Sequence, residues 1–429
     1  MEEQRISRMY FKMFGRNIAR AWEAVTGGSF RRSPLLPVLA ILVLLAIPFG
    51  IYVAHRHAGF HALKQEIHGE RSSAVPSGPR PGGREPLVLS RTPGAANDTP
   101  EFTSVTLLPG LGMDVLQISA SLPGRGNVDL LSAPTAAQLV DDPATAPTKP
   151  FDLHGLFEVP WGGLLDGVTS PVGTTLTSHW LGKSVNLPVD PQSPPGVALG
   201  GLLGTHDFDP EVSSADPGSA SAQGTISSTD FDGHWISRSD VGVAVALAAS
   251  TVEVTVTVKN SGQEAEPVGI GWHPRFLLAS GRRDTATLRL PAGDELMLGD
   301  LLGLASKNRV TSPTETLAPF VGRIGNLGFA SLNHALVHMR PGPDANAGVE
   351  LRDATAGYGL RVISVSPSIH EIRVYAPAGQ AFVGIGSQTN FDSPFGRGWN
   401  ESDPSIVTLQ PGQSLTYKVR LEIFAVPRL

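Results

Sequence analysis

The sequence predicts an all-β protein, built mainly as one large antiparallel β-sandwich over residues 101–429. Three observations carry this. Apolar and polar residues alternate, as in "VEVTVTVKN" (Val252–Asn260), which is the period of a strand with one buried face. Turn formers are dense, with 48 Gly and 36 Pro in 429 residues, as many turns needing a positive or fixed φ require. After Glu101 no stretch holds a convincing helical period.

Four segments follow in order. In residues 1–33, Arg5, Arg8, Lys12, Arg16 and Arg20 recur at steps of three and four, while Ile6, Tyr10, Met13, Phe14, Ile18, Trp22 and Val25 fall mainly opposite. This is the pattern of a basic amphipathic helix on a membrane surface, serving either anionic lipid alone or docking to a larger assembly. Residues 34–55 hold the uncharged run "PLLPVLAILVLLAIPFGIYVA" (Pro34–Ala54), long enough at about 1.5 Å per residue to cross a bilayer core of about 30 Å. A cleaved signal peptide is the competing reading; the run is long and lies about thirty residues in, which favours a retained anchor. Basic residues crowd the N-terminal side, so the N-terminus is expected in the cytoplasm and the main domain in the periplasm of a bacterial inner membrane. Residues 56–100 read as a stalk and Pro/Gly/Ser-rich linker.

From 101 onward, Thr285–Gly293, Gly359–Ser366, His370–Pro377, Gln380–Gly386 and Leu415–Phe424 read as strands, separated by turn signals such as "NSGQ", "PGPDANAG" and "LQPGQS". The span from Asp209 to Gly224 reads as a flexible excursion. The absence of Cys excludes disulfides, thiolate metal sites and a Cys nucleophile. A net charge of −6 leaves no nucleic-acid footprint. No cofactor and no metal are expected. The Asp207 and Asp209 pair in "THDFDP" reads as an exposed turn before a metal loop.

Several stretches together resemble the aldose 1-epimerase (galactose mutarotase-like) family, in its membrane-anchored bacterial branch. They are Leu107–Pro134, His179–Asp190, Val252–Phe276 with "GWHPRF", Gly348–Val362, and Ile372–Asn390 through to "LQPGQSLTYKVRLEIF". The resemblance spans nearly all of 101–424 and implies a galactose-mutarotase-like sandwich with a sugar site on its concave face. The family's reaction needs a base for the C1 hydroxyl proton and an acid for the ring oxygen. Its acid His matches His273, although the usual Tyr of that motif is Arg275. Its base Glu falls on Gly386, its second His on Gly200, and its Asn-Arg pair on Gly163 and Leu164. Its Asp falls on Asn333 or His334. Most functional side chains are therefore lost, and glycine cannot take a proton.

Other candidates remain. Trp161, Gln388 and Asn390 are candidates for sugar contact, and Trp161, Trp180, Trp235 and Trp272 are read either as stacking platforms or as core. Glu158, His154 and His206 are titratable but form no pair at a recognised spacing. The leading expectation is a non-catalytic, membrane-tethered mutarotase-like domain in an inner-membrane complex, respiratory or photosynthetic in kind. The alternatives are a carbohydrate-binding module and an active epimerase with relocated groups.

Overall fold

The computed structural model describes residues 78–94, 98–141, 155–189, 195–298, 305–342, 347–392, 394–395 and 406–428. The expected amphipathic helix and membrane span lie outside them. Among the described residues no helix is long and apolar enough to cross a membrane.

Strands dominate, as the alternation requires. Nine form one antiparallel sheet, in which Glu211–Asp216, Ser219–Thr229, Ser239–Leu247, Thr251–Asn260, Ser414–Ala425, Tyr358–Ser364, Ala347–Asp353, Ala286–Arg289 and Gly325–Asn326 are successive neighbours. In Thr251–Asn260 every second side chain is buried, beginning with Val252, the pattern its sequence encodes. A second sheet of eight strands runs from Ala305–Thr311 through Ala292–Leu298, Leu332–Arg340, Glu371–Ala376, Phe382–Gln388 and Gly271–Trp272 to Phe157–Glu158. Its eighth strand, Arg275–Leu277, pairs with Phe382–Gln388 off that path.

One apolar core joins the sheets. Val254, Val256, Tyr417 and Val419 of the first pack in one cluster with Ile372, Val374, Val383 and Ile385 of the second. Two buried phenols bridge the layers. Tyr417 exchanges a 2.8 Å hydrogen bond with the Ser387 hydroxyl, and Tyr358 donates to the Leu277 carbonyl at 2.9 Å. Because Ile385 and Ser387 face this core, their alternating neighbours Gly384, Gly386 and Gln388 face the opposite side of the eight-stranded sheet.

Three expectations are corrected. Leu87–Ser90, read as linker, is a strand paired with Glu101–Leu108, and the compact unit begins at Gly78. Pro81–Gly83 packs on Pro109–Leu111 so closely that a Cβ at Gly82 would lie 2.0 Å from the Gly110 oxygen. The span Asp209–Gly224 is an edge hairpin of the nine-stranded sheet, not an excursion. Among the described residues, one short helix, Ala136–Asp141, lies within the β-rich region.

Candidate functional site

Strand register sets out the polar side of the eight-stranded sheet in rows. Glu371 lies opposite Gln388, Gln388 opposite Gly271, and Gly271 opposite Glu158. In the next row Ala335 faces Arg373 and Arg373 faces Gly386. In the third, Asn333 faces Tyr375, Tyr375 faces Gly384, and Gly384 faces Arg275. The first row is buried and the third reaches solvent, where Tyr375 is 39% exposed. The Arg275 guanidinium lies 5.5 Å from the centres of both the Tyr375 and Phe382 rings, a cation–π arrangement.

His273 stands beside Gly386. A Cβ at position 386 would fall 1.7 Å from His273 Cδ2, so the inferred base position holds no room for a side chain while the ring stays there. His273 Nδ1 lies 3.0 Å from Glu158 Oε1, and the other Glu158 oxygen accepts the Gly163 amide at 2.6 Å. His273 Nε2 is buried without a hydrogen-bond partner. Glu158 and His273 thus form the pair that their separation in sequence concealed.

The Asn-Arg position of the family resemblance, Gly163–Leu164, lies in a loop held by three side chains. The Gly162 amide donates to Asn390 Oδ1 at 2.8 Å, that of Gly163 to Glu158, and that of Leu164 to Asp392 Oδ1 at 3.1 Å. Asn390 returns a hydrogen bond to the Gly162 carbonyl at 2.8 Å. Gly163 has φ +69°, and a Cβ there would lie 2.3 Å from Asp392 Oδ1; both the backbone region and the space call for glycine. Gly200, at φ +68°, donates its amide to the Gly163 carbonyl at 3.0 Å.

Charge concentrates behind this loop. Arg373 Nη2 pairs with Asp392 Oδ2 at 2.9 Å, and its Nε lies 3.7 Å from Glu371 Oε1. Burial, reinforced by the Asp392 charge, holds the Glu371 carboxyl well above the usual carboxylate range. Burial likewise raises Asp392, while Arg373 opposes it. The Gln388 amide lies against both acids without a well-aligned hydrogen bond.

The structure therefore gathers His273, Gly386, Gly163, Leu164, Gly200, Gln388 and Asn390, with Trp161 on the same loop. It does not gather Asn333, which is exposed at the far row, or His334, which bonds Glu295 at 2.6 Å. His206 is occupied by the Leu202 carbonyl and Thr229, and His154 lies outside the described residues. Asp207 and Asp209 share Arg84. The four candidate tryptophans Trp161, Trp180, Trp235 and Trp272 are all buried, and Trp161 stacks on Trp235 at 5.6 Å. Glu371, Arg373 and Asp392 escaped sequence reasoning. The one available signal was the period-two run Glu371, Arg373, Tyr375 in a strand.

No family model and no curated protein matches the chain. Solved structures do. A galactose mutarotase-like protein from Clostridium acetobutylicum superposes with TM-score 0.61 at 12% identity, covering 76% of this chain and 95% of that one. A GalM/aldose epimerase homologue from C. elegans gives 0.59 at 15%, covering 80% and 99%. Galactose 1-epimerase from Lactobacillus acidophilus gives 0.56 at 13%, covering 80% and 99%. The chain thus has the galactose mutarotase-like fold.

Proposed function

We propose that the sandwich is a non-catalytic mutarotase-like domain, an accessory unit rather than an epimerase. The observation that supports it is the His273 ring lying over Gly386. Where mutarotation needs an acid and a base on either side of the sugar's C1 and ring oxygen, His273 is instead bonded to Glu158. Loss of one acid–base group typically costs about 10²–10⁴-fold in rate. Polarimetry on fresh α-D-glucose and α-D-galactose tests the reading. The full-length protein should leave the buffer rate unchanged; acceleration that His273→Ala abolishes would sink it.

A second reading has one observation in its favour. His273 Nδ1 is fixed by Glu158 while Nε2 has no partner, the arrangement of an oriented imidazole base. In that case mutarotation is measurable and Glu158→Gln removes it.

The sequence supports extending the proposal to residues 1–77. The apolar run 34–54 anchors the chain in a bacterial inner membrane with the N-terminus cytoplasmic, and the basic helix docks to neighbouring subunits. Native electrophoresis after mild detergent extraction should show a large assembly that disperses when residues 1–30 are removed. A lone monomer in both cases would contradict it.

A further inference from the structure

We infer that the Asp392–Arg373–Glu371 cluster is a pH-sensitive latch on the loop Trp161–Leu164, closed in acid and loosened in alkali. The inference is independent of whether the domain is catalytic. Its basis is how the groups share partners. Asp392 Oδ1 accepts both the Leu164 amide and, at 3.4 Å, Arg373 Nη1, while Oδ2 lies at ion-pair distance from Arg373 Nη2, so a single carboxylate ties the loop to strand Glu371–Ala376. Glu371, two residues from Arg373 on the same face, points at the same guanidinium and accepts no well-aligned hydrogen bond.

The surroundings set the direction. From strand Phe382–Gln388 the cluster meets the neutral Gln388 amide, and from strand Leu332–Arg340 the apolar Val337 and Ala335. From strand Phe157–Glu158 it meets Glu158, bonded to His273. His370, next to Glu371 in the chain, lines a separate cleft with His338. With Glu371 protonated, Arg373 and Asp392 are a matched pair. When Glu371 loses its proton, two buried anions compete for the guanidinium, and like charges in a dry site repel strongly. The carboxyl of Glu371 is already held high by burial, so this ionisation comes as pH rises. Asp392 then relaxes most cheaply by moving away with the loop.

Amide exchange followed by mass spectrometry on the full-length chain, corrected for intrinsic rates, tests this. From about pH 6 to about pH 9, protection of Gly162–Leu164 should fall about tenfold more than that of strand Thr251–Asn260. Glu371→Gln should flatten the change. Asp392→Asn should leave the loop weakly protected throughout. The latch is overturned by flat wild-type protection, by an unaltered fall in Glu371→Gln, by wild-type protection in Asp392→Asn, or by parallel loss in strand Thr251–Asn260.

Discussion

At the scale of single residues, position 386 decides most. Its glycine is a packing requirement of His273, so even the smallest side chain forces the ring to move. Gly386→Ala should destabilise the domain by about 1–3 kcal/mol, as overpacking does, in urea titration. Gly386→Glu should not confer mutarotase activity while His273 remains. If Gly386→Ala is neutral, the ring is not held where the structure places it. The motif around His273 was legible in sequence. Its bond to Glu158 was not, because 115 residues separate the two and only the pairing of short strands Phe157–Glu158 and Gly271–Trp272 brings them together. No local periodicity encodes such a pairing.

Among elements, the most exacting junction is built on Arg283. This buried guanidinium donates to the carbonyls of Gly328, Gln380, Ala330 and Ala376, stitching a 3-10 turn to the end of strand Glu371–Ala376 and to the connections that lead into Leu332–Arg340 and Phe382–Gln388. Lys carries fewer donors and no planar fork. Arg283→Lys should therefore cost about 2–4 kcal/mol, measured by denaturant midpoint, with Arg282→Lys, on the exposed neighbour, nearly silent. Elements also differ in how visible they were. Thr251–Asn260 announces itself because Val alternates with polar residues over its whole length. Leu87–Ser90 and the hairpin of Glu211–Asp216 with Ser219–Thr229 do not. The first is four residues among Pro and Gly, and the second is rich in Ser and Ala with small side chains toward solvent. Both are strands because a neighbour pairs with them, a property of the partner rather than of the segment. A chain beginning at Glu101 should accordingly aggregate more readily than one beginning at Gly78, since removing Leu87–Ser90 bares the edge of Glu101–Leu108. Light scattering on matched preparations distinguishes the two.

For the whole molecule, buried acids shape the response to pH. Burial pushes Asp114 and Glu266 up to about 7, and raises Glu371 as well. A carboxyl whose folded pKa is raised binds more protons folded than unfolded, from its ordinary value near 4 up to the folded value. Stability is therefore greatest at the acidic end and is lost as pH rises toward about 7, by up to about 1.4 kcal/mol per pH unit for each such group. Thermal unfolding should show a midpoint higher near pH 5 than near pH 8, and Glu266→Gln should lessen the difference. An unchanged midpoint across that range would mean these carboxyls are not neutral in the folded protein.

The two phenols that bridge the sheets give the molecule an optical signature. Of five tyrosines in the chain, Tyr358 and Tyr417 are buried with their hydroxyls committed, and burial holds both above the ordinary phenol range. In an alkaline titration watched by phenolate absorbance, these two should stay dark while the sandwich is closed. They should colour only when the layers part, in one cooperative step. The chromophores that hold the sandwich together thus also report, without any label, the moment it opens.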